Sequence, residues 1–423
     1  MKKNLLKNIF SMVSLKGLEY LLALAILPYL VRVLGVEKYG AIVFMQSIIQ
    51  YFVIIIDYGF NIITPRRIAI TNNLLEHGKI FSSVIVCKII LGTFLTSLFL
   101  IIYLFTSLLN FVDIKLFIAL YLNVIGNIIF PIWFFQGIQK MEYITVINIL
   151  SRFITVIAIF LFVRTPDDYI IAAVCQASTN VLSGIFSLFF LIKKYNYLFL
   201  FPSIKYIANT FIEGWEIFIS TLAINAYTAT NIIVLRLFTN DVIVGYYGAA
   251  NKIIDSIKGI LTPISLAIFP YISQQVSINK SNAILFIRKV LKYYSIFGFI
   301  MFFVLFIFSH EIVSLLLGDQ YEQSIILIKI LSAIPFLVAI SNVLGTHTLL
   351  TFGYNRVYSK ILLVSALISI ILIIPMSYLF FDKGAAFTML VTEFCVTLMM
   401  YVSLRKLDIH IMRCNNGRRK KYY

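Results

Sequence analysis

Between Ile9 and Leu404 the chain alternates long apolar runs with short polar breaks. Twelve of these runs reach the roughly 17–25 residues that a helix needs to cross a bilayer. The first six predicted spans are Ile9–Leu34, Tyr39–Thr64, Ile80–Thr106, Phe111–Gln136, Tyr143–Val163 and Tyr169–Ile192. The second six are Phe211–Phe238, Val242–Ile272, Tyr293–Ser309, Ile325–Thr351, Ile361–Phe381 and Ala385–Leu404. The runs lack the period-two alternation of a lipid-facing barrel, so helices are the predicted elements. The expected fold is all-α, a polytopic membrane protein of about twelve transmembrane helices.

Lys2, Lys3 and Lys7 ahead of the first run, with Ala23-Leu24-Ala25 inside it, have the outline of a cleavable leader. Lys16 and Glu19 interrupt that run, however, and it continues to Leu34, so the segment is expected to be retained. Composition points the same way as pattern. Of the 423 residues, 61% are hydrophobic and 13% are charged, about half the charged share of a soluble domain. A water-soluble core cannot absorb that much apolar surface, and a soluble enzyme is excluded.

Lys and Arg number 35 against 18 Asp and Glu, a formal charge of +17. On a soluble protein this surplus would indicate nucleic acid; here its placement gives another reading. On the side holding the N-terminus the loops and tail carry 23 Lys and Arg, and on the other side 6. That bias predicts an even number of spans, both termini in the cytoplasm and no nucleic-acid partner. The longest cytoplasmic link, with Pro202 and many aromatics, is expected to be interfacial. The predicted organisation is a six-helix bundle over 1–192, a linker over 193–210, a second bundle over 211–404 and a basic tail over 405–423. In the tail, Arg418 to Lys421 would sit near anionic lipid head groups. Trp133 and Trp215 fall at predicted helix ends, where indole rings favour the head-group region. Cys87, Cys175, Cys395 and Cys414 have neither disulfide-framework nor metal-ligand spacing.

Inside the predicted spans lie Lys16, Lys88, Arg152, Lys252, Lys258 and Lys329, with Glu19, Asp57, Asp255 and Glu393. Each such charge facing lipid costs roughly 2.5–3.5 kcal/mol on the mildest scale, so the group must face protein or a wet cavity. Snorkelling is the expected fate of Lys88 and Lys329. Lys16 and Asp57 lie at similar depth and could form a structural ion pair. Lys252, Asp255 and Lys258 share one broad face of span eight. Arg152, near the middle of span five, fits neither topology nor snorkelling and is expected to line a cavity. The surplus of cations suits an anionic group such as a phosphate or pyrophosphate. Asn123, Asn127, Gln176, Asn180, Asn225 and Asn231 could meet sugar hydroxyls or simply bond helices together. His347, deep in span ten, reads as a helix-packing contact. No Walker loop, Gly-rich phosphate cradle or zinc-ligand pattern is present.

Twelve spans about a central linker fit a transporter plan of two halves with the site between them. Specific strings say more. Pro28-Tyr29-Leu30-Val31-Arg32-Val33-Leu34-Gly35, Tyr39-Gly40 and Asp57-Tyr58-Gly59-Phe60 resemble the start of bacterial polysaccharide transporters. These are the Wzx-type O-antigen flippases of the superfamily that also holds multidrug exporters. The resemblance continues at Trp133-Phe134-Phe135-Gln136-Gly137 with Asn148 and Arg152, and at Glu213-Gly214-Trp215 with Phe218 and Ser220. Val244-Gly245-Tyr246-Tyr247 with Ala250 and Lys252, then Phe269-Pro270, carry it to about residue 275.

This resemblance implies two pseudo-symmetric six-helix bundles around a central cavity, which turn undecaprenyl-pyrophosphate-linked oligosaccharide from the cytoplasmic to the outer face. It also implies basic cavity residues, here Arg152 and Lys252, with Lys258, Lys16 and Lys88 outside the matched strings. No cofactor is implied beyond coupling to H⁺ or Na⁺, for which Glu19, Asp57, Asp255 and Glu393 are candidate coupling or charge-pair groups. The polysaccharide polymerase and chain-length regulator are candidate partners, besides membrane lipid. A multidrug exporter of the same superfamily would be expected to have an acidic cavity. A glycan polymerase would need a sizeable outer loop, and an acyltransferase a reactive group near an interface.

Overall fold

Among the described residues of the computed structural model, all regular structure is helical. The description covers residues 2–71, 73–106, 111–194, 200, 202–409 and 411, without the side chains of 2–21, 23–24, 194, 216, 220, 223–228 and 267. In the first half the helices are α1 (Lys2–Asp57), α2 (Phe60–Ile70), α3 (Leu74–Phe105), α4 (Ile114–Ile129), α5 (Ile132–Gly137), α6 (Met141–Phe162) and α7 (Tyr169–Lys194). In the second they are α8 (Ile204–Phe238), α9 (Asp241–Ile278), α10 (Lys280–Ile307), α11 (Ser309–Leu316), α12 (Ser324–Leu331), α13 (Ile334–Leu344) and α14 (Asn355–Lys406). Starts are set chemically: the side chains of Asn73, Asp113, Ser203, Asn240 and Asn279 each accept a backbone N–H of the turn they open.

Eight segments are long and apolar enough to cross a membrane, or nine with a bent pair in α9. Two are double length. Ala25–Ile70 has 46 residues and Asn355–Lys406 has 52, roughly 70 and 80 Å of helix at 1.5 Å per residue, against a hydrocarbon core of about 30 Å. The first is interrupted at Gly35 (φ 71°) and again at Tyr58 and Gly59 (φ 43° and 82°), the second at Phe381 (φ 52°). Just past Phe381 a Cβ on Gly384 would overlap the carbonyl of Met376, so the two limbs of α14 meet beside the turn. Divided at Gly35 and Phe381, and with the bent α9 and α8 counted, the segments follow the order of the twelve predicted runs.

The helices outrun the apolar runs. Lys205, Arg288, Lys289, Lys292, Arg356 and Lys360, expected in loops, lie within α8, α10 and α14. Nothing in the interfacial sequence stops the hydrogen-bond ladder, so it continues past the hydrocarbon. The expected interfacial linker is partly absorbed the same way: α8 starts at Ile204. Trp133 departs from expectation for a different reason. Pro131 ends α4, and the short α5 tucks Trp133 completely into a cluster with Phe60, Phe81 and Phe134 rather than placing it at the head groups. Trp215 is exposed.

One hydrophobic core belongs to the first half, around Leu30, Ile42, Met45, Leu116 and Ala173. A second belongs to the second half, around Ile287, Leu291, Val343, Leu362 and Val396. A third joins the halves, with Val31, Tyr39 and Val43 packed on Val244, Tyr247, Ile254 and Leu327. Call the end with the N-terminus and most Lys and Arg the basic end, and the other the far end. At the far end small residues bring backbones together: a Cβ on Gly40 would overlap Asp241 O, one on Gly245 would overlap Val36 O, and Gly248 lies on Val43. Arg32 locks this contact by donating to the carbonyls of Ser314 (3.2 Å) and Leu315 (2.6 Å) at the end of α11.

Candidate functional site

Arg152 lies eleven residues into α6, and Lys252 eleven residues into α9, which runs the opposite way. Each is therefore about 16 Å from its helix start, at a common depth near the bilayer centre. The two come from different halves, and each lies within electrostatic range of the other. α6 packs on α1, α5 and α7, while α9 packs on α1, α8, α10, α12, α13 and α14, so α1 lies against both of the helices that carry these charges.

Lys252 is exposed, and among the described residues no carboxylate stands within ion-pair distance of it. One helical turn on, Lys258 Nζ and Asp255 Oδ1 are paired at 2.6 Å, with Asp255 45% exposed. Asn251 donates to the other carboxylate oxygen at 3.0 Å. Glu393 of α14, buried, feels the charges of both Lys258 and Asp255. Three cations and two carboxylates thus converge from α6, α9 and α14. Exposure of ionic groups at this depth means water, because lipid contact would cost roughly 2.5–3.5 kcal/mol for each.

Lys88 has another fate. It is 1% exposed, and its Nζ donates to Asp57 Oδ1 (2.8 Å), Asn127 Oδ1 (3.1 Å) and Asn127 O (3.2 Å). Snorkelling is overturned: the ammonium has three acceptors close by, which an interface could not improve on. Asp57, for which a pair with Lys16 is one of two sequence readings, is held by Lys88 and Asn127. The side chains of Lys16, Glu19 and Asn225 lie outside the described residues, as does the tail beyond Ile411. Lys329 is exposed on α12, as snorkelling requires.

The amides of the first half mostly link helices. Gln46 Nε2 donates to Gln176 Oε1 (3.0 Å), Asn180 Nδ2 to Asn123 Oδ1 (2.6 Å), and Ser183 Oγ to Asn148 Oδ1 (3.1 Å). In the second half Ser369 Oγ donates to Asn231 Oδ1 at 3.4 Å. His347 is fully buried in a π-helical turn over 345–350, its Nε2 at 3.1 Å from Ser265 Oγ. At the basic end Tyr58 stacks on Phe218, and Arg67 pairs with Glu213 at 3.3 Å, tying α1 and α2 to α8. Sequence reasoning passed over Gln46 and Gln50, although their four-residue spacing, continued at Asp57, is a legible polar stripe.

An all-helical chain with membrane-length apolar segments, packed closely at the far end and carrying a cluster of ionic groups within its helices, is a multi-pass membrane protein. Its relatives make it a member of a transporter family. The chain belongs to the family described as polysaccharide biosynthesis protein, whose model matches residues 5–276. A protein of Escherichia coli (strain K12) named "Putative O-antigen transporter" is 34% identical over 409 residues, 96% of this chain and 97% of that one. A Shigella dysenteriae protein of the same name is 27% identical over 400 residues, 94% of this chain and 100% of its own. The fold is shared with an inward-facing multidrug resistance MATE family transporter of the MOP superfamily (TM-score 0.73, 13% identity, 92% of this chain and 95% of that one). It is also shared with the lipid II flippase MurJ in an inward closed conformation (TM-score 0.75, 15% identity, 94% and 87%).

Proposed function

We propose that the protein carries an undecaprenyl-pyrophosphate-linked oligosaccharide, the repeat unit of O-antigen or a similar surface polysaccharide, from the cytoplasmic to the outer face of the bacterial inner membrane. The observation that carries this reading is that Arg152 and Lys252, on helices α6 and α9, lie at one depth and within electrostatic range of each other. A pyrophosphate cannot enter hydrocarbon without replacement of its lost hydration. Two cations on separate bodies supply that replacement and move apart or together as the bodies rock. The rocking bodies are residues 1–192 and 211–404, joined by 193–210, and the basic end is cytoplasmic by its excess of Lys and Arg. Asp255 and Glu393 are the carboxylates placed to take up a coupling H⁺ or Na⁺. The names of the relatives from Escherichia coli and Shigella dysenteriae support O-antigen as the cargo.

Deletion of the gene should leave single repeat units on the lipid carrier, facing the cytoplasm, as measured by mass spectrometry of extracted lipid. Normal surface glycan in a deletion strain without a redundant transporter overturns the proposal. Expulsion of cationic drugs by the reconstituted protein, with no effect on glycan, would support the exporter reading in its place.

A further inference from the structure

Span two carries a polar stripe that the charge cluster does not use. Gln46, Gln50 and Asp57, spaced by four and seven residues, share one face of the second limb of α1. One flank of that face is apolar and buried in the first-half core at Ile42, Met45, Ile49, Phe52 and Ile56. The other flank meets the second half, through Val43 in the seam core and Tyr51 bonded to Thr230 of α8. The stripe therefore runs along one margin between the halves. The opposite margin, at Ala41, Ile48 and Ile55, is apolar, with Ala41 and Ile48 packed on the hydrophobic cores.

Both ends of the stripe are tied. Gln46 is bonded to Gln176 of α7, and Asp57 to Lys88 of α3 and Asn127 of α4. Gln50 lies between them, exposed and with no hydrogen-bond partner among the described residues. A primary amide left bare in lipid loses its hydration with no return. Set between two closed polar contacts, this one is exposed and left to be answered by water or a polar ligand.

We propose that Gln50 is a sugar-contacting residue that reads the saccharide, as distinct from the pyrophosphate, of the carried lipid. Its neutral head offers two donors and an acceptor, which matches hydroxyl and N-acetyl groups. A phosphate, which only accepts, is served by Arg152 and Lys252. This inference rests on the function proposed above, and its failure is separable from the failure of that reading.

The test measures equilibrium binding of two probes to the full-length protein in detergent. One is sugar-free undecaprenyl pyrophosphate; the other is the oligosaccharide-bearing lipid extracted from the deletion strain. Gln50→Leu should weaken the oligosaccharide lipid by about tenfold, the worth of a buried amide–hydroxyl pair or two, and leave the sugar-free lipid unchanged. Gln50→Asn, which keeps the amide, should recover part of the loss. Equal weakening of both probes, or no change in either, overturns the inference while leaving pyrophosphate-lipid transport standing. Failure of the unmodified protein to bind either probe overturns both. Exposure of the side chain keeps the leucine variant foldable, and an unaltered melting temperature confirms it.

Discussion

The Asp57–Lys88–Asn127 triad and the cluster of Arg152, Lys252, Asp255, Lys258 and Glu393 use the same chemistry at membrane depth, in opposite ways. In the triad every strong donor of Lys88 meets an acceptor of its own half, and the ammonium is 1% exposed. In the cluster cations outnumber carboxylates, the groups come from both halves, and Lys252 and Asp255 stand open to water. A charge answered within one rigid body holds that body together. A charge left accessible between two bodies can be answered by something that arrives.

The comparison breaks most sharply on substitution of Lys88. Lys88→Ala strands Asp57 and should destabilise the first half by about 3–5 kcal/mol, seen as loss of folded protein and a lower melting temperature in detergent. Lys252→Ala, at an exposed site, should leave the melting temperature nearly unchanged. Arg152→Ala and Lys252→Ala should instead weaken binding of undecaprenyl pyrophosphate by about 1.5–3 kcal/mol each, roughly tenfold to a hundredfold, while the protein inserts normally. Full binding and transport in Arg152→Ala would reduce that residue to packing.

A smaller effect is expected where the halves close. Gly245→Val forces a side chain into the backbone of Val36 and should disfavour the far-end closure by about 1–3 kcal/mol. Cysteine accessibility from the far end should rise in consequence; unchanged accessibility would mean the closure is not held at this glycine. The smallest effect belongs to Lys258→Gln. Its pair with Asp255 is half open to water, so the stability change should stay within about 1 kcal/mol. Any larger change in transport would then report on the charge of the site rather than on folding.

How much of this was legible beforehand varies by residue. The spans were, because the bilayer imposes one length and one composition on every crossing segment. Arg152 was singled out because no bland account covered a guanidinium at mid-span. Lys88 was misjudged, since the chain gives its depth but not the Asp57 and Asn127 that surround it. Trp133 was misjudged because a helix end on paper became, after the break at Pro131, a plug in a core. Gln50 was missed although its spacing from Gln46 and Asp57 was visible, because an uncharged amide in a long apolar run carries little weight until its neighbours are known.

The sequence by itself determined that the protein is helical and membrane-embedded, which apolar runs its helices contain, and that ionic groups lie within them. Those properties follow from the local cost of exposing backbone and charge to hydrocarbon, which each segment meets alone. Only the tertiary structure decided which charge answers which. Asp57 finding Lys88, and Arg152 coming within range of Lys252, depend on how distant helices pack, and packing in lipid is set by shape rather than by pattern along the chain.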